Sequence, residues 1–171
     1  MQPNNDNTHP SLTRYLGSSL GVADARRVAS NIPASQLFDL LFHDNPRVAG
    51  NAAWALTHKP TAEIATLPQP QLINLAITTP TTSLRRLVLN LINRQGIAPD
   101  DIRTDFLDFC LHHMLSLDEP TGVQTLCMKL AHSMCSHYPE LQREFLETLA
   151  LMHPENYKPG LRCLINKVKS F

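Results

Sequence analysis

The densest group of side chains that could do chemistry is a set of cysteines and histidines in the last third of the chain. Its members are Cys127, His132, Cys135 and His137, with His112 and His113 shortly before them. Thiolate and imidazole groups are the usual ligands of structural zinc, which needs four of them converging on one tetrahedral site. On one helix, Cys127 and His132 point in nearly opposite directions, so a single ion cannot reach both. We therefore expect no metal site and no cofactor.

Sequence motifs for nucleophilic catalysis, zinc hydrolysis or phosphate binding are absent from the chain. We find no G-x-S-x-G, no H-E-x-x-H, no P-loop and no G-x-G-x-x-G. A cysteine and a histidine can still meet in space without lying close in sequence, so a catalytic pair of that kind stays open. Nothing in the sequence favours one. The sequence thus favours a role that is not enzymatic.

The cysteines, together with the lack of a secretion leader and of a membrane-spanning segment, indicate the compartment and the redox state of the chain. Cys110, Cys127, Cys135 and Cys163 form no C-x-x-C pair, and we expect free thiols that pack as small apolar side chains. The sequence has no apolar run of about 18 residues that would cross a membrane and no leader that directs secretion. We therefore expect a cytoplasmic protein with no membrane partner. The Asn- and Pro-rich residues 1–10 are predicted to be a disordered tail.

The apolar residues predict helices of two alternating types. In the first type, two apolar residues precede one polar residue, over residues 36–43, 71–78, 105–112 and 144–151. In the second type, apolar residues recur at i, i+3, i+4 and i+7, over residues 46–56, 82–92, 121–131 and 159–169. Each second-type helix has an apolar residue near its start that aligns the repeats and that we call its anchor: Val48, Leu84, Val123 and Leu161.

Both helix types recur with a period of about 37 residues, which is typical of an α-solenoid with two helices in each repeat. An amphipathic helix pair cannot bury its apolar face alone, so successive pairs must stack. The sequence predicts an all-α fold, an α-α superhelix (right-handed solenoid) of about four stacked helix pairs. Residues 11–32 are predicted to form a helical cap at its N-terminal end. One domain is expected over residues 11–171.

One repeat resembles a known family. Residues 44–56 read DNPRVAGNAAWAL. This is similar to the turn and second helix of a HEAT repeat, which has an Asp–Pro turn, then Val and Arg, then a small-residue run. The third and fourth repeats lack the aspartate of the turn, so they match more loosely. The resemblance implies that the second helices line the concave side of the solenoid and the first helices the convex side.

Charge divides between the two helix types. The chain has 15 basic and 15 acidic residues, but the first helices carry mostly acids and the second helices mostly Arg and Lys. We therefore predict one acidic and one basic face. The predicted binding residues on the second helices are Arg47, Trp54, Arg86, Asn90, Asn93, Lys129, His132 and Lys167. Two interpretations stay open, a groove for a partner or an ordinary solvated face, and for Trp54 we favour packing over recognition.

Three functional hypotheses follow. The first is a non-enzymatic adaptor or scaffold that binds a protein or peptide partner with an acidic or polar surface. The second is a nucleic-acid-binding protein or a DNA-repair enzyme, because some alkylpurine glycosylases are built from HEAT-like repeats. Against it, the chain has one tryptophan and no acid among the predicted binding residues. The third is a subunit of a larger assembly. The oligomeric state is left open.

Overall fold

A computed structural model describes residues 10–169, and all regular secondary structure in that range is helical. The α-helices are α1 Pro10–Leu16, α2 Val22–Asn31, α3 Ala34–Asp39, α4 Pro46–Leu56, α5 Thr61–Ile64, α6 Gln69–Thr78, α7 Thr82–Gln95, α8 Thr104–Leu115, α9 Thr121–Cys135, α10 Pro139–Leu151 and α11 Pro159–Lys169. Short 3-10 helices span Leu40–Phe42, Pro99–Asp101 and Pro154–Asn156. The prediction of an all-α fold is confirmed. The predicted tail lies outside the described residues, except for Pro10, which begins α1.

The second helices lie where the sequence predicts them. Helices α4 and α11 begin and end at the predicted residues, and α7 and α9 begin as predicted but continue to Gln95 and Cys135. Local signals explain these limits. Pro46 occupies the first turn of α4, where its missing N–H costs nothing, and the Asn45 side chain accepts a 2.9 Å hydrogen bond from the Arg47 N–H. Gly96, at φ 74°, ends α7 in the left-handed conformation that glycine adopts most readily.

The chain divides into two compact units, Met1–Gln69 and Pro70–Phe171. In the first unit, α4 packs against α1, α2 and α3. Its alanines Ala49, Ala52 and Ala53 are buried, and such small side chains let neighbouring helices approach closely. The side chain of Asn51 donates hydrogen bonds to the Leu16 and Ser18 carbonyls, at 2.7 and 3.1 Å. These bonds hold the end of α1 against α4.

In the second unit, α9 is the central helix and packs against both α7 and α11. We call these three the second-helix layer. Helix α8 packs against α9, and α10 packs against both α9 and α11, so α8 and α10 form the first-helix layer. The buried core between the layers includes Phe106 and Phe145 from the first-helix layer and Val123, Leu130 and Ile165 from the second.

Three of the four cysteines follow the prediction and one does not. Cys110, Cys127 and Cys135 are buried free thiols, whereas Cys163 is exposed. The prediction was wrong for Cys163 because it lies two residues after the anchor Leu161, on the side of α11 that faces away from the core. Burial raises the pKa of the Cys110 thiol well above its usual value, and burial with nearby Glu144 raises that of Cys135 to about 11.

The native protein is therefore expected to show one fast-reacting thiol. The thiolate is the reactive form, and the three buried thiols have restricted access; burial also disfavours ionisation of Cys110 and Cys135 by raising their pKa. We expect an aromatic disulfide reagent to modify Cys163 quickly at neutral pH and the other cysteines only on unfolding. A Cys163→Ser variant should lose the fast phase and keep the slow one. Fast reaction of two or more thiols in the folded wild type would contradict the structure.

Candidate binding surface

The helices of the second unit separate charge by layer. The second-helix layer contains Arg85, Arg86, Arg94, Lys129, Arg162, Lys167 and Lys169 and has no aspartate or glutamate. The first-helix layer contains Asp105, Asp108, Glu140, Glu144 and Glu147, with Arg143 as its basic residue. The separation predicted from the sequence is thus present in the helices of this unit.

Six of the predicted binding residues belong to this unit, and we call them the basic face. They are Arg86, Asn90, Asn93, Lys129, His132 and Lys167. Asn90, Lys129 and Lys167 each follow the anchor of their helix by six residues, so they occupy equivalent positions in three successive repeats. Because α7, α9 and α11 pack side by side, equivalent positions on them form a column across the layer.

Four residues of the basic face make no side-chain hydrogen bond or ion pair with a residue in the described range, namely Arg86, Asn90, Asn93 and Lys129. Arg86 and Lys129 are exposed, and neither makes an ion pair with a described residue. The Asn90 and Asn93 amides are half-buried and make no side-chain hydrogen bond within the described range 10–169. Each of these groups can still donate hydrogen bonds, and the amides can also accept them. This unused capacity distinguishes Arg86 and Lys129 from Arg85 and Arg103, whose guanidinium groups pair with carboxylates.

His132 differs from the other residues of the basic face. Its imidazole is half-buried and lies against the ring of Phe145 in α10, with 5.7 Å between the ring centroids. That contact favours a packing role for the ring between α9 and α10. It also restricts which edge of the imidazole a partner could reach.

Two predicted binding residues, Arg47 and Trp54, lie in the first unit on α4. Arg47 is exposed. Trp54 is half-buried, and its ring centroid lies 6.3 Å from that of His58. The Nε2 atom of His58 is buried and has no hydrogen-bond partner among the described residues. Trp54 is thus in partial contact with its own unit, as its position beside the apolar stripe predicts.

Arg85 does not belong to the basic face, although it is next to Arg86 in sequence. Its guanidinium group is mostly buried and donates to the carbonyls of Ala76 at 3.3 Å and Thr79 at 2.7 Å. It also pairs with the Glu119 carboxylate at 3.4 Å. Arg85 therefore joins the end of α6 to the turn before α9. Arg85 is not among the predicted binding residues, and its buried contacts give it a structural role.

In the two following repeats, the residue directly after the anchor also donates a hydrogen bond to a carbonyl ahead of its helix. Arg85, Gln124 and Arg162 each come directly after the anchor of their helix. The Gln124 side chain donates to the Ser116 carbonyl at 2.6 Å, and Arg162 donates to the Tyr157 carbonyl at 3.2 Å. Carbonyls near a helix C-terminus have no partner within the helix. The long side chain directly after each anchor donates a hydrogen bond to such a carbonyl in the segment before its helix.

His113 joins the Arg85 network and makes stability depend on pH. Its Nδ1 lies 2.7 Å from the Glu119 carboxylate, and its ring is tilted by 43° against that of Phe109, with 4.1 Å between the ring centroids. Burial lowers the pKa of His113 below its usual 6.5; the Glu119 carboxylate opposes that shift, and nearby Arg85 and His112 add to it. A lowered pKa means that the unfolded chain binds the proton more tightly, so the free energy of unfolding must fall as the pH drops below 6.5.

The test is denaturant unfolding from about pH 7.5 to about pH 5.5. We expect a smaller acid-induced loss of stability in His113→Gln than in the wild type, because glutamine cannot be protonated and can still donate to Glu119. The control is His137→Gln, at an exposed position, which should behave like the wild type. The same loss in all three proteins would contradict the role assigned to His113.

The clusters needed for metal chemistry are absent from residues 10–169. No group of three or more His, Cys, Asp or Glu side chains there could hold a metal ion. Cys127 is buried in the core, while His132 of the same helix is half-buried. Within the same range, no helix is both long and apolar enough to span a bilayer.

Comparison with known proteins gives one match. The model of the HEAT repeat domain matches residues 21–170, which is most of the chain. No significant match was found among curated proteins or among solved structures. The match covers all four predicted helix pairs and agrees with the resemblance seen in residues 44–56. The chain therefore belongs to the HEAT repeat family.

Proposed function

We propose that the chain is a non-enzymatic scaffold that binds an acidic protein or peptide segment on the basic face. HEAT repeats form a protein-interaction kind of fold, which supports the general class. The observation that carries the specific proposal is the second-helix layer, which has no acid and, besides the mostly buried Arg85, six further basic residues. Arg86 and Lys129 of that layer are exposed and unpaired among the described residues.

The physical argument rests on repetition across the three helices. An exposed ion pair is worth only about 0.2–1 kcal/mol, so one lysine or arginine cannot hold a partner. Equivalent positions on α7, α9 and α11 allow several weak contacts to act together. The Asn90 and Asn93 amides can add directional hydrogen bonds to the backbone of a bound segment. A field of one sign also raises the rate at which an oppositely charged partner arrives.

The test is fluorescence anisotropy with a labelled polyglutamate peptide, compared with a labelled polylysine peptide and a DNA duplex. We expect the protein to bind polyglutamate at low salt and not to bind polylysine. Failure to bind polyglutamate would contradict the proposal. Tighter binding of the duplex, with affinity that falls steeply as salt rises, would favour a nucleic-acid-binding protein instead.

Three further parts of the proposal have their own tests. Arg47 and Trp54 are proposed as contacts of the first unit, and Arg47→Ala and Trp54→Phe should each weaken binding of the natural partner.

A cytoplasmic location is tested by cell fractionation. The proposal that residues 11–171 form one domain predicts a single cooperative unfolding transition, and two resolved transitions would contradict it.

A further inference from the structure

The Arg86 side chain lies close to the backbone of a glycine in α9. Gly122 is the second residue of α9, and a Cβ atom placed on it would be 2.8 Å from Cδ and 3.6 Å from Cγ of Arg86. The shorter separation is less than real Cβ contacts allow. The aliphatic stem of Arg86 therefore lies directly over the backbone of α9 at Gly122, in space that only glycine leaves empty.

Helix geometry explains this contact. Side chains on a helix lean towards its N-terminus, so the stem of Arg86 extends back along α7 towards the level of Ser83. Ser83 and Gly122 both directly precede the anchor of their helix, so they lie at the same level of the packed layer. The stem of Arg86 meets the first turn of α9 there. Packing against the α9 backbone restricts the side-chain torsions of Arg86 before any partner binds.

We propose that Gly122 is a positioning residue for Arg86 in the recognition of an acidic segment, an inference that rests on the proposed function. Ordering a long side chain on binding costs conformational entropy, and a side chain held in advance avoids part of that cost. Alanine at position 122 displaces the stem and leaves the guanidinium group free to move. Affinity for an acidic segment then falls although no charge has been removed.

The same substitution does not destabilise the fold. Gly122 has no positive φ, since Gly96 is the one described glycine in that conformation. Alanine is favoured over glycine in helices, and the displaced side chain is exposed and can swing into solvent. The melting temperature of Gly122→Ala is therefore equal to that of the wild type or higher. Weaker binding without lower stability separates positioning from a general loss of structure.

Gly160 provides a matched control. It is the second residue of α11, as Gly122 is of α9, and it also directly precedes the anchor of its helix. A Cβ atom on Gly160 would meet no atom within 4 Å. Gly160→Ala thus makes the same chemical change at the same helix position without touching an arginine. Its affinity for the peptide is unchanged.

The experiment measures polyglutamate affinity for the wild type, Gly122→Ala, Gly160→Ala, Arg86→Ala and the Gly122→Ala/Arg86→Ala double variant. Gly122→Ala weakens binding about threefold or more, and this effect disappears when Arg86 is already alanine. If Arg86→Ala binds like the wild type, the proposed function is overturned. Two other outcomes overturn this inference alone. In the first, Arg86→Ala weakens binding but Gly122→Ala does not. In the second, Gly122→Ala still weakens binding when Arg86 is already alanine.

A second readout needs no ligand. The NMR order parameter of the Arg86 Nε–H bond reports how tightly the side chain is held on the picosecond to nanosecond timescale. It falls in Gly122→Ala and keeps its wild-type value in Gly160→Ala. An unchanged order parameter in Gly122→Ala overturns the inference whatever the peptide does.

Discussion

Reversing the charge of Arg86 and Lys129 together is expected to weaken binding of an acidic segment by about 100-fold or more while leaving thermal unfolding unchanged. Each substitution to glutamate removes an attraction and adds a repulsion, and like charges placed together across an interface cost several kcal/mol. Both side chains are exposed and make no ion pair with a described residue. Their replacement therefore breaks no ion pair with a described residue, and surface changes of this kind usually alter stability by less than about 0.5 kcal/mol.

The control for this prediction is the double variant Arg26→Glu/Arg143→Glu. Arg26 on α2 and Arg143 on α10 are exposed cations outside the basic face, so this variant has the same net charge as the first. We expect it to lose only the part of the affinity that depends on overall charge. Anisotropy titrations with labelled polyglutamate measure both variants. Equal affinity of the two double variants would show that binding depends on net charge and not on the basic face.

The largest stability effect is expected for Arg85→Ala, which should lower the free energy of unfolding by about 2–4 kcal/mol. The substitution removes both bonds to the end of α6 and the ion pair with Glu119, whose side chain is only 14% exposed. A carboxylate left with fewer partners in a mostly buried place is costly. His113 also contacts that carboxylate, so the network loses its central cation.

The neighbouring substitution Arg86→Ala is the matched control for stability. It removes the same side chain one residue further along α7, where the arginine is exposed. Urea unfolding should give a midpoint close to the wild type for Arg86→Ala and a clearly lower midpoint for Arg85→Ala. Similar midpoints for the two variants would contradict the buried network described for Arg85.

The limits of the second helices could be predicted because their signals are local. An apolar stripe, a proline or Asn–Pro start and a glycine end are all readable within one helix. The four-residue helix α5 and the change from α3 to a 3-10 helix at Leu40–Phe42 were not predicted. Segments this short have no periodicity to detect, and contacts with the rest of the fold decide their conformation.

The buried role of Arg85 could not be predicted from the helix pattern. Arg85 and Arg86 are adjacent and chemically identical, and the pattern places Arg86 on the side away from the apolar stripe of α7 without showing what Arg85 contacts. Glu119, far along the chain, makes the difference by pairing with one of them. Comparing repeats would have helped, since Arg85, Gln124 and Arg162 are all long donors after an anchor. The same comparison places Cys163 level with Arg86 and predicts its exposure.

The central claim is that a partner binds on the basic face, and paired capture from native lysate tests it most directly. The baits are the wild type, the Arg86→Glu/Lys129→Glu variant and the Arg26→Glu/Arg143→Glu control, each with and without nuclease. We predict a protein with an acidic segment that is captured by the wild type and the control, is lost from the first variant and is unaffected by nuclease. Equal capture by all three baits, or capture that disappears with nuclease, would contradict the claim.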